Sequence, residues 1–318
     1  MLLQLRAKKN TTFASNFPFR VSKEQKLDNY LIPGIVTSMF LWGLSWPSNK
    51  VLAGFCSAIN FTVYRYIVVV LTMLILLPLT KTSYKISKKG IVDFVTSGLL
   101  LALYSYFLFV GLRKGTAGAG GVLVTIMNPI IAYIMVSISK KRKPSQKEFL
   151  GLGLGLVAGL ILLKVWEKDS VLSNGGNLYF LAAATIWSLM SLFTAKGSRY
   201  GSSLTFSLWQ YLVTLLCLLP FTDFAEMGRA IHITNHLFWL NLIFASSIVT
   251  AIATTVFFFT TTRLGAERAS TFIFLVPFAA AISSRVLLEE VIHWNTIVGG
   301  LIGITAVYIM NKKKKALH

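Results

Sequence analysis

Arg65 is the residue in this chain with the most chemical consequence. It is the only strong charge well inside a long apolar segment, near one end of residues 61–80. An arginine at a bilayer centre costs about 2.5–3.5 kcal/mol on insertion scales, and a position near the segment end lets the long side chain snorkel toward water. Two roles fit: attraction of an anionic group such as a carboxylate, or a structural bond to helix-end carbonyls. Trp42, Ser45, Trp46 and Asn49 recur at spacings of three and four, so they share one face of a helix. Tyr104, Trp187, Gln210, Thr250 and Thr254 add polar or amphipathic groups to the middle of other apolar segments. An aromatic lining with few polar groups suits a small amphipathic solute. Trp46 and Asn49 stand near a segment end, where anchoring at the membrane interface competes with pocket lining.

Pro129 and Pro277 fall near the middle of two apolar segments. Proline removes a backbone donor and clashes with the carbonyl four residues earlier, here those of Thr125 and Ile273. In lipid such carbonyls need partners, and a polar cavity supplies them. Asn128 places a side-chain amide beside the first proline.

Other chemistries lack their parts. The histidines (His232, His236, His293, His318) fall in loops, at a segment edge or in the tail, and no HExxH occurs. Ser45 follows Gly43-Leu44, but no histidine lies deep in a segment to activate it. No carboxylate is placed deep either, so a buried proton relay is not visible. The sequence calls for no catalytic residue, metal or cofactor. A membrane-embedded enzyme and a non-transporting receptor or scaffold are the alternatives to a solute carrier.

These residues need long apolar elements to hold them. The 318-residue chain is 55% hydrophobic and 13% charged, against about 25% charged in soluble domains. Ten segments approach the ~20 apolar residues of a spanning helix: 30–52, 61–80, 91–112, 117–139, 149–165, 177–196, 204–221, 238–262, 270–288 and 294–311. The net charge of +20 does not indicate nucleic acid, because 23 of the 31 Lys and Arg fall in the tails and every second loop. The alternate loops hold seven, and Arg65 is the remaining one. Basic loops stay in the cytoplasm. The expected fold is therefore an all-α, multi-pass membrane protein with ten transmembrane helices and both termini cytoplasmic. Residues 1–29 form a basic tail without the central apolar run of a signal peptide, and residues 312–318 form a second basic tail.

The chain also repeats itself. Trp42 matches Trp187, and Arg65-Tyr66 matches Gln210-Tyr211, at an offset of 145. Pro129 matches Pro277, and Gly151 and Gly155 match Gly299 and Gly303, at 148. Residues 30–165 and 175–311 thus form two five-segment repeats. The odd count inverts the second relative to the first, an arrangement used by secondary transporters.

The pieces FLWGLSWPSNK (40–50), YRY (64–66), the proline, basic loop and glycine-rich stretch of 128–163, and its counterpart 276–309 resemble the drug/metabolite transporter superfamily, EamA type. The resemblance implies a ten-helix bundle in which helices 1–4 and 6–9 surround a central cavity and helices 5 and 10 lie at the periphery. It implies a plasma-membrane carrier (inner membrane in a Gram-negative cell) that exports or exchanges amino acids or related solutes. One departure is that Lys141 stands where the repeat would place a second Glu289. The glycine stripes (Gly151, Gly155, Gly159; Gly299, Gly303) permit close helix approach, within the bundle or in a homodimer through helices 5 and 10.

Overall fold

A computed structural model describes residues 23–139, 141, 143, 145–164, 166, 175–233, 236–264 and 272–311. Most of both basic tails and the loop 265–271 lie outside the described residues. Each of the ten apolar segments falls on helix: α1 (Lys23–Leu52), α2 (Ala58–Leu79), α3 (Ile91–Lys114), α4 (Ala117–Ser139), α5 (Gln146–Leu163), α6 (Gly175–Thr194) and α7 (Ser203–Leu218). A short helix the hydropathy pattern does not single out, α8 (Phe224–Ile233), follows. Then come α9 (His236–Ile243), a π-helical stretch Phe244–Ala253, α10 (Thr254–Leu264), α11 (Leu275–Leu288) and α12 (Trp294–Asn311). Among the described residues, seven helices are long and apolar enough to cross a membrane, and 272–288 and 294–309 are shorter apolar helices. No strand occurs among the described residues.

The pattern of burial fits lipid as the solvent. Leu71, Ile75, Leu79, Leu156 and Leu216 are exposed, while Ser38, Ser97, Ser105, Ser188, Thr214 and Ser246 are buried. Small polar residues between helices permit close approach and bond across the interface, contributing about 0.6–2 kcal/mol each.

Helix pairing follows a two-fold relation between the halves. The α1–α11 contact is matched by α6–α4, and α3–α6 by the packing of α1 on the π-helical stretch and α10. The pairs α2–α7, α4–α11 and α5–α12 are their own counterparts. The sense is inverted. The Gly176 backbone, opening α6, lies against Gly115 at the close of α3, and Lys50, closing α1, reaches that same end through Leu112 O and Gly115 O. Hence α1 ends where α6 begins. Backbone detail keeps the register: Lys141 and Glu289, equivalent at offset 148, are both left-handed, with φ of 48° and 55°.

Both ends are fastened across the halves. At the Glu290 end, Glu290 accepts from Ala117 N and Gly118 N, each 2.9 Å, and Glu226 accepts from Ser57 N at 2.8 Å and from Asn60 Nδ2. At the Asp93 end, Asp93 meets Lys196 Nζ at 2.9 Å and Tyr200 OH at 2.6 Å. There Tyr200 O accepts from Ser87 N and Tyr84 O from Trp209 Nε1. The bond to Asp93 is the first cause raising the Tyr200 pKa, which keeps the phenol protonated.

Three local expectations change. Trp46 and Asn49 are not interface anchors: they are 7% and 4% exposed, inside the bundle, because α1 packs on α11, α4 and the π-helical stretch. Pro277 is not mid-helix but lies in the first turn of α11, after a 3-10 turn at Phe272–Phe274, where a missing N–H is tolerated. Segment 238–262 is not a uniform α-helix but carries the π-helical stretch. The glycine stripes are filled within the chain: Gly155 and Gly159 face Ile130 and Met127, Gly303 faces Ile126, and Gly299 faces Leu162.

The tightest approach is α1 on α11. A Cβ on Gly43 would meet the Ala279 side chain and lie 2.9 Å from the backbone of Ala279 and Ala280. Overpacking of this kind costs about 1–3 kcal/mol. Gly43→Ala should lower the melting temperature in detergent, whereas Gly153→Ala, with nothing within 4 Å, should match or exceed the parent. Equal melting of the two variants would contradict this packing.

Candidate functional site

Arg65 sits on the second turn of α2 and points between α1, α3 and the π-helical stretch. Its Nη1 donates to Asn49 Oδ1 at 3.2 Å and its Nη2 to Thr250 Oγ1 at 2.8 Å. The guanidinium carbon lies 5.7 Å from the Phe109 ring centroid, within cation–π range. Its Nε is enclosed and has no hydrogen-bond partner. The side chain therefore keeps its charge and spare donors among dipoles and a ring.

The π-helical stretch aims Thr250 at that guanidinium. Thr250 Oγ1 donates its single proton to Ala245 O, five residues back, at 2.7 Å, so its lone pairs face Arg65. Thr254 Oγ1 repeats the pattern to Val249 O at 3.3 Å, and Thr72 Oγ1 meets Ser247 Oγ at 2.8 Å. Wider helical turns of this type recur at functional sites.

Toward the Asp93 end the interior becomes aromatic. Tyr66 OH lies 3.2 Å from Ser105 Oγ, and its ring is 5.7 Å from that of Tyr211. These two tyrosines are repeat equivalents and meet where α2 crosses α7. Tyr104 and Trp187 pair at 4.8 Å and pack with Tyr66 and Tyr211 in one cluster. Arg65 lies within electrostatic reach of Tyr104 and Tyr211.

The structure thus brings Arg65, Asn49, Thr250, Tyr104 and Trp187 into one region and places Trp42, Ser45, Thr125, Asn128 and Gln210 in other contacts. Trp42 packs against Phe257, rings tilted and 5.2 Å apart, in a separate apolar cluster. Ser45 and Thr125 spend their hydroxyls on carbonyls of their own helices, Trp42 O and Gly121 O. Gln210 Nε2 contacts Ser97 O at 3.4 Å, within the packing of α7 on α3. Asn128, beside Pro129, brings its backbone oxygen (2.9 Å) and Oδ1 (2.8 Å) to Ser188 Oγ, either of which can take the hydroxyl proton, and this ties α4 to α6. Phe109, Tyr66, Ser105 and Tyr211 join the site without having been singled out for it; the matched Arg65-Tyr66 and Gln210-Tyr211 pairs were the available signal. A small cavity of mixed lining lies apart from this region, with Thr116, Ser284, Glu290, His293 and Thr296 beside Ala281, Val291 and Ile292.

The family model of EamA-like transporters matches the chain twice, over residues 30–164 and 174–312. The chain belongs to the EamA-like transporter family. It is therefore a multi-pass membrane protein of the transporter class. It is 24% identical over 279 residues to the Bacillus subtilis protein named uncharacterized transporter YoaV, covering 87% of this chain and 94% of that one. It is 26% identical over 218 residues to the chloroplastic WAT1-related protein At3g02690 of Arabidopsis thaliana, covering 64% of this chain and 51% of that one. A solved crystal structure shares the fold with a TM-score of 0.58 at 15% identity, covering 86% of this chain and 95% of that chain.

Removing one partner of a buried donor costs about 1–3 kcal/mol. Thr250→Val, which keeps the shape of the side chain, should lower the melting temperature of the detergent-solubilised protein. Combining it with Arg65→Met, which removes the stranded donor, should recover part of the loss. Additive losses in the double variant would show that the Arg65–Thr250 bond carries no coupling.

Proposed function

We propose that this transporter carries a small amphipathic solute with an anionic group, of the amino-acid type, by alternating access between its two inverted halves. The observation that carries this reading is Arg65: charged, with an enclosed unpaired Nε, two neutral bonding partners and an aromatic neighbourhood. A carboxylate would complete it, because the planar fork of a guanidinium takes such a group through two parallel bonds. Tyr66, Tyr104, Trp187 and Tyr211 would supply apolar faces with polar edges for the remainder of the solute. The path crosses the plasma membrane in ten spans with both termini in the cytoplasm, and movement is export or exchange. The Asp93 end is then cytoplasmic, since the loops flanking it carry the Lys and Arg excess.

A solute panel screened by thermal stabilisation and then by counterflow in proteoliposomes tests the assignment. Arg65→Gln should raise the apparent KM severalfold with folded protein near the parental level, because the repeat itself carries Gln210 at this position. Arg65→Lys should recover only part, since an ammonium lacks the fork. Unchanged affinity in well-folded Arg65→Gln would reject the binding role.

Orientation is testable by thiol labelling. Cys56 is buried in the structure, and burial pushes its thiol up to about 12, so it should contribute little background at neutral pH. Cysteines replacing Lys89 and Lys143 should label only from the cytoplasm, and cysteines replacing Thr116 and Ala225 only from outside. Labelling at 143 from outside in intact cells would overturn the topology.

A further inference from the structure

We propose that Glu290 is a proton-binding site of this transporter: ionised, it holds its end of the bundle shut, and on taking up a proton it lets that end open. The effect on solute movement rests on the transporter reading above, whereas the gate itself does not. Glu290 follows α11 in the second half, and its carboxylate oxygens accept Ala117 N–H and Gly118 N–H in the first turn of α4 in the first half, each at 2.9 Å. Helix N-termini present unpaired donors and the positive end of the helix dipole, so the anion is what they hold best. A protonated carboxyl has lost that charge and must place a donor of its own. Protonation therefore weakens a bond that spans the two halves.

The surroundings give the proton a route and a partner. The small cavity reaches the carboxylate between Thr116, Gly118, Ser284, His293 and Thr296. Ser284 is 1% exposed, and its Oγ has no hydrogen-bond partner although it lines this cavity. A methyl built on Gly118 would lie 3.5 Å from Glu290 Oε2 and 3.6 Å from Ser284 Oγ, so both oxygens face one point. Ser284 is thus placed to accept from the protonated carboxyl through one water. Among the described residues, the charged or titratable groups on the elements around it are Lys50, His293, Arg285 and Glu289. Lys50, on α1, attracts Glu290 but is bonded to Leu112 O and Gly115 O. His293 lines the cavity. Arg285, on α11, donates to Glu289 O, and Glu289 is the left-handed residue that closes α11. From α4 and α12 the lining includes the hydroxyls of Thr116 and Thr296.

The clamp belongs to one end. The repeat places Arg142 at the position equivalent to Glu290; Arg142 itself lies outside the described residues. At the Asp93 end the carboxylate that bridges the halves is paired with an ammonium, Lys196. Acid should therefore act on the two ends unequally.

Spin labels on Arg113→Cys and Val286→Cys, in a chain with Cys56→Ala and Cys217→Ala, would report the separation of the halves at this end in lipid nanodiscs. As pH falls, the distance should lengthen in the otherwise parental chain. Glu290→Gln should show the longer distance at every pH, and Glu226→Gln should keep the parental response. Ser284→Ala should move the midpoint of the transition. The proposal is overturned if acid leaves the parental distance unchanged, if Glu290→Gln responds to acid as the parent does, or if Glu226→Gln alone abolishes the response. Should Glu290→Gln not fold, the parental titration and the Ser284→Ala midpoint decide. Counterflow at fixed neutral pH separates the readings: counterflow without an acid response removes the proton site alone, and an acid response without counterflow removes the transport reading alone.

Discussion

A bilayer offers no hydrogen bonds, so every polar group within it must be satisfied by the protein. The bundle is organised by that constraint. Small hydroxyl residues turn inward and bond to carbonyls, as Ser188 does to Asn128 and Thr214 to Gly98 O. Large apolar side chains divide between a buried core, as Phe61 and Phe109 do, and the outer surface, as Leu71 and Ile75 do. The constraint bears hardest on helix ends and on the one interior arginine, and these are where the two halves are bound to each other.

Helix ends near a membrane surface leave free N–H and C=O groups that neighbouring elements can satisfy. Here carboxylates of the second half serve N-termini of the first: Glu226 at the start of α2 and Glu290 at the start of α4. An ammonium serves a C-terminus, Lys50 at the close of α3. Each contact satisfies a local backbone requirement, and the two carboxylate contacts also join one half to the other. A carrier that alternates between two closed ends needs fastenings of this kind, strong enough to hold and local enough to release.

Much of this was legible in the sequence, because the relevant signals are periodic and additive. Apolar length located the helices, and the repeat placed Lys141 and Glu289 at equivalent left-handed caps. The hydrogen-bond register of a helix is another matter. The π-helical stretch at Phe244–Ala253 is apolar around most of its surface, so a shift from four- to five-residue bonding leaves no mark on its hydropathy. Pro277 was misplaced within its segment because apolar length does not distinguish a 3-10 turn from the helix that follows it. Asn49 and Trp46 carried the composition of interface anchors, and only the packing of α1 against the other half shows them buried.

The site residues were legible in kind but not in grouping. Ser45 and Thr125 have the chemistry to bind a solute, yet a hydroxyl in a helix readily bonds to its own carbonyl three or four residues back, and both do so. Thr250 also bonds backward, but to the fifth residue, and that difference of one leaves its lone pairs on Arg65. The repeat sharpens the contrast. Gln210, the equivalent of Arg65, is absorbed into the packing of α7 on α3, while Arg65 keeps unspent donors. Two halves built alike have thus diverged at this position, one side chain absorbed into helix packing and the other holding its guanidinium between Asn49, Thr250 and Phe109.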